Sequence, residues 1–192
     1  NQTGVTHTYL ETPDVAIKTV EKGISLKWAK ITGASKYKIY RQTSGSSDWT
    51  LIDTVDTISF IDKTAKSGKK YTYRVRATKG SSLSGYNAVS KLFLAMPKLS
   101  SVKNAGSGVE ISWKKVNGAE GYKIYRKSSK GSYKLIGDTA KLSYIDKTAK
   151  SGTTYTYTVK AYKGKTNSAY NKTGLKINYL AAPQVKSAVN AT

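Results

Sequence analysis

The 192-residue chain sets 33 Lys and Arg against 11 Asp and Glu, a formal net charge of +22, and contains fifteen Tyr, three Trp, no Cys and one His. Without cysteine there is no disulfide, thiolate metal site or catalytic thiol, so the fold rests on its core alone, and His7 by itself builds neither a Ser-His-Asp arrangement nor a histidine metal site. No apolar run approaches the roughly 18 residues of a membrane span, and no charged-then-apolar leader pattern opens the sequence, so export is expected to be directed from outside this stretch.

Residues 1–10 read as an extension or linker. A first strand is expected from Pro13, at an edge where a missing N–H is tolerated. After the turn Glu21-Lys22-Gly23, the run Ile24-Ser25-Leu26-Lys27-Trp28 alternates apolar with polar, the period of a half-buried strand. Thr32-Gly33 leads into Lys36-Tyr37-Lys38-Ile39-Tyr40-Arg41, and Ser44-Gly45-Ser46-Ser47 turns the chain before Trp49. Lys66-Ser67-Gly68 precedes the alternating run Tyr71-Thr72-Tyr73-Arg74-Val75-Arg76-Ala77, Lys79-Gly80 follows it, and Tyr86-Asn87 is placed at the start of the last strand. No comparable segment has helical period, so an all-β unit of about seven short strands in a two-sheet sandwich is predicted.

The chain then repeats itself. Gly121-Tyr122-Lys123-Ile124-Tyr125-Arg126 answers the Lys36 run, and Asp146-Lys147-Thr148-Ala149-Lys150-Ser151-Gly152 answers Asp62-Lys63-Thr64-Ala65-Lys66-Ser67-Gly68. Pro13 and Pro97 lie 84 apart, Trp28 and Trp113 lie 85 apart, and the offset is 84 again by Trp49 and Tyr133. One residue is therefore gained and then lost. The gain is expected around Asn104-Ala105-Gly106-Ser107-Gly108 and the loss between Arg126 and Tyr133, in Gly/Ser turns that tolerate length changes. Two units follow, residues 11–95 and 96–181, with 182–192 opening a further repeat or linker, since Ala182-Pro183-Gln184-Val185 reads like Met96-Pro97-Lys98-Leu99.

A Pro-led first strand, a Trp closing the second, a Tyr-x-Ile-Tyr-Arg third strand and Gly-x-x-Tyr-x-Tyr-x-Val-x-Ala after a tight turn resemble the fibronectin type III domain, twice over within residues 11–180. The resemblance implies two tandem seven-stranded immunoglobulin-like sandwiches. It makes Trp28 and Trp113 the core tryptophans, Tyr37 and Tyr122 the third-strand core tyrosines, and Tyr71 and Tyr155 tyrosine-corner residues whose hydroxyls bond back to the preceding turn. Ala65-Lys66-Ser67-Gly68 stands where the family has Leu-x-Pro-Gly, and the integrin-binding Arg-Gly-Asp triplet is absent. The Lys- and Tyr-rich style is similar to repeats of large secreted or surface proteins of Gram-positive bacteria.

Charge raises the question of partners. Only four of the cations are Arg, at 41, 74, 76 and 126, and the Lys are scattered, so sequence-specific nucleic-acid binding is not expected, while attraction to teichoic acid, acidic glycan or anionic lipid stays open. If Tyr37 and Ile39 point inward, Lys38 and Tyr40 face out beside Thr72, Arg74 and Arg76. The second copy sets Lys123 and Tyr125 beside Thr156, Thr158 and Lys160. These basic-aromatic faces are candidate ligand contacts, and the alternative is that the rings cover their sheet in cross-strand and cation–π pairs. Trp49 and Tyr133 are a candidate sugar-stacking pair or, alternatively, strand-opening residues packed over a sheet edge.

No catalytic role emerges: Asp62 and Asp146 recur singly, where an Asp side chain bonds backbone N–H groups two residues on, and no metal or cofactor is called for. Asn171-Lys172-Thr173 fits an N-glycosylation pattern that is empty in a bacterial chain. Two functions remain. One is a non-catalytic extracellular spacer whose short apolar joint, Lys91-Leu92-Phe93-Leu94-Ala95-Met96-Pro97, connects neighbouring domains. The other is a binding module for a polysaccharide, anionic cell-wall polymer or host protein.

Overall fold

The computed structural model describes residues 9–183; His7 and the Gln184-Val185 end of the expected third copy lie outside them. The described chain is all β and forms two compact units, the first running to Ala95 and the second beginning at Met96.

In the first unit the strands are β1 (Ala16–Val20), β2 (Gly23–Lys27), β3 (Lys36–Thr43), β4 (Thr50–Val55), β5 (Ser59–Asp62), β6 (Lys70–Lys79), β7 (Ser82–Leu83) and β8 (Val89–Leu92). One sheet has the order β1-β2-β5, the other β4-β3-β6, with β7 and β8 both paired to β6. Each of these pairings is antiparallel. The period-two patterning decides what is buried: Ile24 and Leu26 of β2, Tyr37 and Ile39 of β3, and Tyr71, Tyr73, Val75 and Ala77 of β6 meet between the sheets, with Trp28 beside them. Two-sheet closure of this kind removes aromatic and branched surface from water at roughly 25 cal/mol per Å².

The second unit repeats the plan with β9 (Leu99–Ala105), β10 (Gly108–Trp113), β11 (Gly121–Ser128), β12 (Lys134–Thr139), β13 (Ser143–Asp146), β14 (Thr153–Lys163), β15 (Thr166–Asn167) and β16 (Leu175–Tyr179). Its sheets are β13-β10-β9 and β12-β11-β14, the latter extended by β15 and β16. Val109, Ile111, Trp113, Tyr122, Ile124, Tyr157, Val159 and Ala161 are buried. Both units are immunoglobulin-like sandwiches, the fold class expected from the strand pattern.

The last strand of each unit is broken, for a local reason. Ser84 N–H donates to the Ala77 carbonyl at 2.9 Å, while its hydroxyl accepts from Ala77 N–H at 2.9 Å and donates to the Gly85 carbonyl at 2.8 Å. That serine supplies the ladder bonds itself and lets residues 85–88 leave the sheet. Tyr86 accordingly sits in this looped-out stretch and not at a strand start, as does Tyr170 in the second unit.

The residue gained by the second copy is not in the Asn104–Gly108 turn. The turn between β9 and β10 has two residues between Ala105 and Gly108, just as Val20 and Gly23 flank two in the first unit. The extra residue is Ser100: Ser112 pairs with Ser101 and Trp113 with Leu99, a bulge that absorbs one residue without disturbing the flanking ladder. The loss does fall before Tyr133, where β3 and β4 are separated by residues 44–49 and β11 and β12 by 129–133. A further two-residue shift matches the sequence, where Pro97 and Pro183 lie 86 apart against 84 for Pro13 and Pro97. Tyr71 pairs with Lys91 but Tyr155 with Ile177, and the added length is taken up by Asn171, whose Oδ1 accepts from Thr173 N–H at 2.9 Å and Gly174 N–H at 3.2 Å.

Candidate functional site: aromatic clusters closed on their own cations

The outward face of the larger sheet is built by the pairing of β3 with β6, which sets Tyr40 opposite Arg74 and Lys38 opposite Arg76. Trp49 reaches this face from the β3–β4 loop and Tyr86 from the looped-out stretch. All three rings converge on one guanidinium: Arg74 Cζ lies 4.8 Å from the Tyr40 ring centre, 4.3 Å from Trp49 and 4.6 Å from Tyr86. Trp49 and Tyr86 also meet at 6.3 Å. Arg76 sits 5.9 Å from Tyr86 and donates from Nε to the Ser84 carbonyl at 2.7 Å. Arg74 Nε is buried and donates to nothing among the described residues.

The second unit keeps the three rings as Tyr125, Tyr133 and Tyr170 but changes the cation. Thr158 stands opposite Tyr125, where Arg74 stands opposite Tyr40, and its buried hydroxyl donates to the Asn171 carbonyl at 2.8 Å. The charge comes instead from Lys160, 5.3 Å from the Tyr125 ring and 4.8 Å from Tyr170. Tyr125 and Tyr170 stack at 6.3 Å, Tyr133 meets Tyr170 edge-on at 5.6 Å, and Lys127 covers Tyr133 at 4.9 Å. Lys123, opposite Lys160 in the ladder, turns to the Tyr162 ring at 5.5 Å, which keeps two like charges apart. Burial, and then the neighbouring Tyr170, pushes the Tyr125 and Tyr133 hydroxyls above their ordinary pKa.

Trp28, Tyr37, Trp113, Tyr122, Tyr71 and Tyr155 are all buried. The Tyr71 hydroxyl accepts Lys66 N–H at 2.9 Å and the Tyr155 hydroxyl accepts Lys150 N–H at 3.2 Å. Tyr37 and Tyr122 likewise accept Ile31 N–H and Val116 N–H, each at 2.9 Å.

A second polar constellation lies inside each sandwich. Asp62, 1% exposed, accepts from Arg41 Nη1 at 2.8 Å and Tyr73 Oη at 2.7 Å on one oxygen, and from Thr64 N–H at 2.9 Å and Thr64 Oγ1 at 2.7 Å on the other. Asp146 makes the same set with Arg126, Tyr157 (2.8 Å) and Thr148 (3.0 and 2.7 Å). Burial alone would raise these carboxyls, but the donated hydrogen bonds outweigh it and hold both below the ordinary carboxylate value. Burial and the bond to the carboxylate push the Tyr73 and Tyr157 hydroxyls far up. Such a group is an acceptor already saturated by donors, a structural clamp between the sheets.

No family model matches the chain. It is 35% identical over 69 residues to a titin homolog of Caenorhabditis elegans, a match covering 36% of this chain and a share of that protein that rounds to 0%. Among solved structures it is similar to a two-domain fibronectin type III segment of chicken tenascin, at 19% identity and a TM-score of 0.45 over 89% of this chain and 99% of that one. It is also similar to the chicken interferon gamma receptor alpha chain, at 15% identity and a TM-score of 0.49 over 88% and 98%. Among the described residues no helix is long and apolar enough to cross a membrane.

Proposed function

We propose that the chain is a non-catalytic spacer: two fibronectin type III-like domains, residues 11–95 and 96–181, that hold neighbouring modules apart in a larger extracellular protein, of bacterial origin by its Tyr-Lys-Ile-Tyr-Arg style. The observation that carries this reading is a repeated exit. Ala95 N–H donates to Ser67 Oγ at 2.9 Å, and Ala181 N–H donates to Ser151 Oγ at 3.1 Å. Each unit thus ties its departing chain to its own tight turn, and in both cases one residue and a proline follow. An anchored exit into an X-Pro pair, where the residue before proline is biased toward extended backbone, favours the spacer reading over a flexible Gly/Ser tether.

The surfaces support it. The rings that would stack on a ligand, Tyr40, Trp49, Tyr125 and Tyr133, already lie against cations of their own unit, and the repeated carboxylates are saturated. The test is a pull-down of the fragment on insoluble polysaccharides and isolated Gram-positive cell walls, at low salt and at about 0.5 M, where charge attraction is largely screened. The spacer reading expects any retention to vanish at high salt. Retention at 0.5 M on one polymer overturns it in favour of a binding module.

A further inference from the structure

Of the four arginines in the sequence, three have an acceptor: Arg41 and Arg126 bond Asp62 and Asp146, and Arg76 bonds the Ser84 carbonyl. Arg74 is the exception. Among the described residues it forms no ion pair, and its buried Nε has no hydrogen-bond partner. Yet it is the arginine with the most aromatic contact, its guanidinium lying within 4.3 to 4.8 Å of three ring centres. Stacking removes the rotamer freedom that an arginine ordinarily loses on binding, and a planar fork with donors to spare fits a carboxylate bidentately. Since Nε is covered, the Nη1/Nη2 edge is the part left for an acceptor.

We infer that Arg74 is a preorganised hook for the carboxylate of an acidic sugar unit, with Tyr86, a 43% exposed residue, beside it to meet the sugar's C–H face. Lys38 and Arg76, paired across the same strands two residues away on the same face, supply attraction for a chain of repeating negative charge. A hexuronate-containing polysaccharide combines the carboxylate, the apolar ring face and the repeat. The second unit lacks the hook: Thr158 occupies the position and spends its hydroxyl on the Asn171 carbonyl. The two copies have diverged in surface chemistry while keeping one fold, and a single site of this kind gives a weak, salt-sensitive grip that leaves the spacing role intact.

The experiment titrates the 192-residue chain with trigalacturonate, with neutral galactotriose and with hexaglutamate at about 0.15 M salt, following the Trp49 indole N–H and the Arg74 Nε–H by NMR. Saturable shifts of both with trigalacturonate alone are expected, with Thr158 and Lys160 unmoved, and Arg74→Lys, which keeps the charge and loses the fork, should weaken them at least tenfold. Unshifted Arg74 and Trp49, equal shifts with hexaglutamate or galactotriose, equal response of the Lys160 face, or full retention in Arg74→Lys each overturns the inference. Should Arg74→Lys not fold, Tyr86→Ser and the wild-type shift map decide on the same terms.

Discussion

Tyr73 Oη stands 2.7 Å from Asp62 Oδ2, and Tyr157 Oη stands 2.8 Å from Asp146 Oδ2: each unit joins the inward face of its long β6 or β14 strand to the carboxylate ending β5 or β13 of the opposite sheet. Because Arg41 or Arg126 shares that oxygen, the contact is one arm of a charged network inside a sandwich. Removing the carboxylate leaves the phenol without its acceptor and the guanidinium with the Thr64 or Thr148 hydroxyl in place of a counter-ion. Asp62→Ala should therefore cost about 3 kcal/mol or more, and Tyr73→Phe, which removes one hydrogen bond to a charged group, about 1.5 to 3 kcal/mol. Urea unfolding of the first unit measures both, and a loss below about 1 kcal/mol for Asp62→Ala would show that the clamp is dispensable.

The same network sets a pH dependence with a definite sign. Asp62 and Asp146 are held below their ordinary pKa in the folded chain, so their contribution is complete above about pH 4 and falls away as pH drops through the folded value. Tyr73 and Tyr157 are raised, so theirs is complete below the unfolded phenol value near 10 and is lost as pH climbs above it. Thermal unfolding across pH should give a plateau between about 5 and 9 with a fall on either side. Tyr73→Phe should flatten the alkaline fall of the first unit, and an unchanged alkaline limb in that variant would contradict the assignment.

Gly23 and Gly108 should be the least replaceable glycines. Their φ values are +144° and +154°, and a Cβ would lie 2.0 and 2.2 Å from the carbonyl oxygens of Asp62 and Asp146. Overlap with backbone cannot be relieved by turning a side chain, so Gly23→Ala is expected to cost more than about 2 kcal/mol. Gly106, in the matching turn of the second unit, has nothing within 4 Å of where an alanine methyl would sit and should accept Ala within about 0.5 kcal/mol. Similar costs at the two positions, read from chemical denaturation, would refute the steric argument.

How much of this is legible in the sequence follows from what each signal depends on. Strand alternation is local, so the inward sets Tyr37 and Ile39 and Tyr73, Val75 and Ala77 can be read directly. The Arg41–Asp62 clamp is present in the same pattern, though motif spacing alone passes over it: alternation from Tyr37 and Ile39 carries Arg41 to the inward face, where an arginine needs a carboxylate, and Asp62 is the Asp that recurs in both copies. By contrast, the convergence of Tyr86 on Arg74 depends on Ser84 breaking the last strand, a bond across the ladder that no periodicity announces. The Ser100 bulge lies outside the Gly/Ser turns that signal length changes, because a bulge absorbs its residue inside a strand.

The exit tie gives the last test. Ala95 N–H leaves the first unit bonded to Ser67 Oγ, close to Gly68 N–H, which donates to the Phe93 carbonyl at 2.8 Å, and Phe93 N–H, which donates to the Lys69 carbonyl at 2.9 Å. These bonds help hold the departing segment, and of them the one to Ser67 uses a side chain. Ser67→Ala removes that side-chain tie and leaves the core untouched, so global stability should drop by about 1 kcal/mol. Local opening should change more than that: amide exchange at Ala95 is expected to quicken severalfold while Phe93 and the core amides of β6 keep their rates. Uniform acceleration across the unit would mean that the serine supports the fold as a whole, and unchanged exchange at Ala95 would mean that the exit is held by the backbone bonds alone.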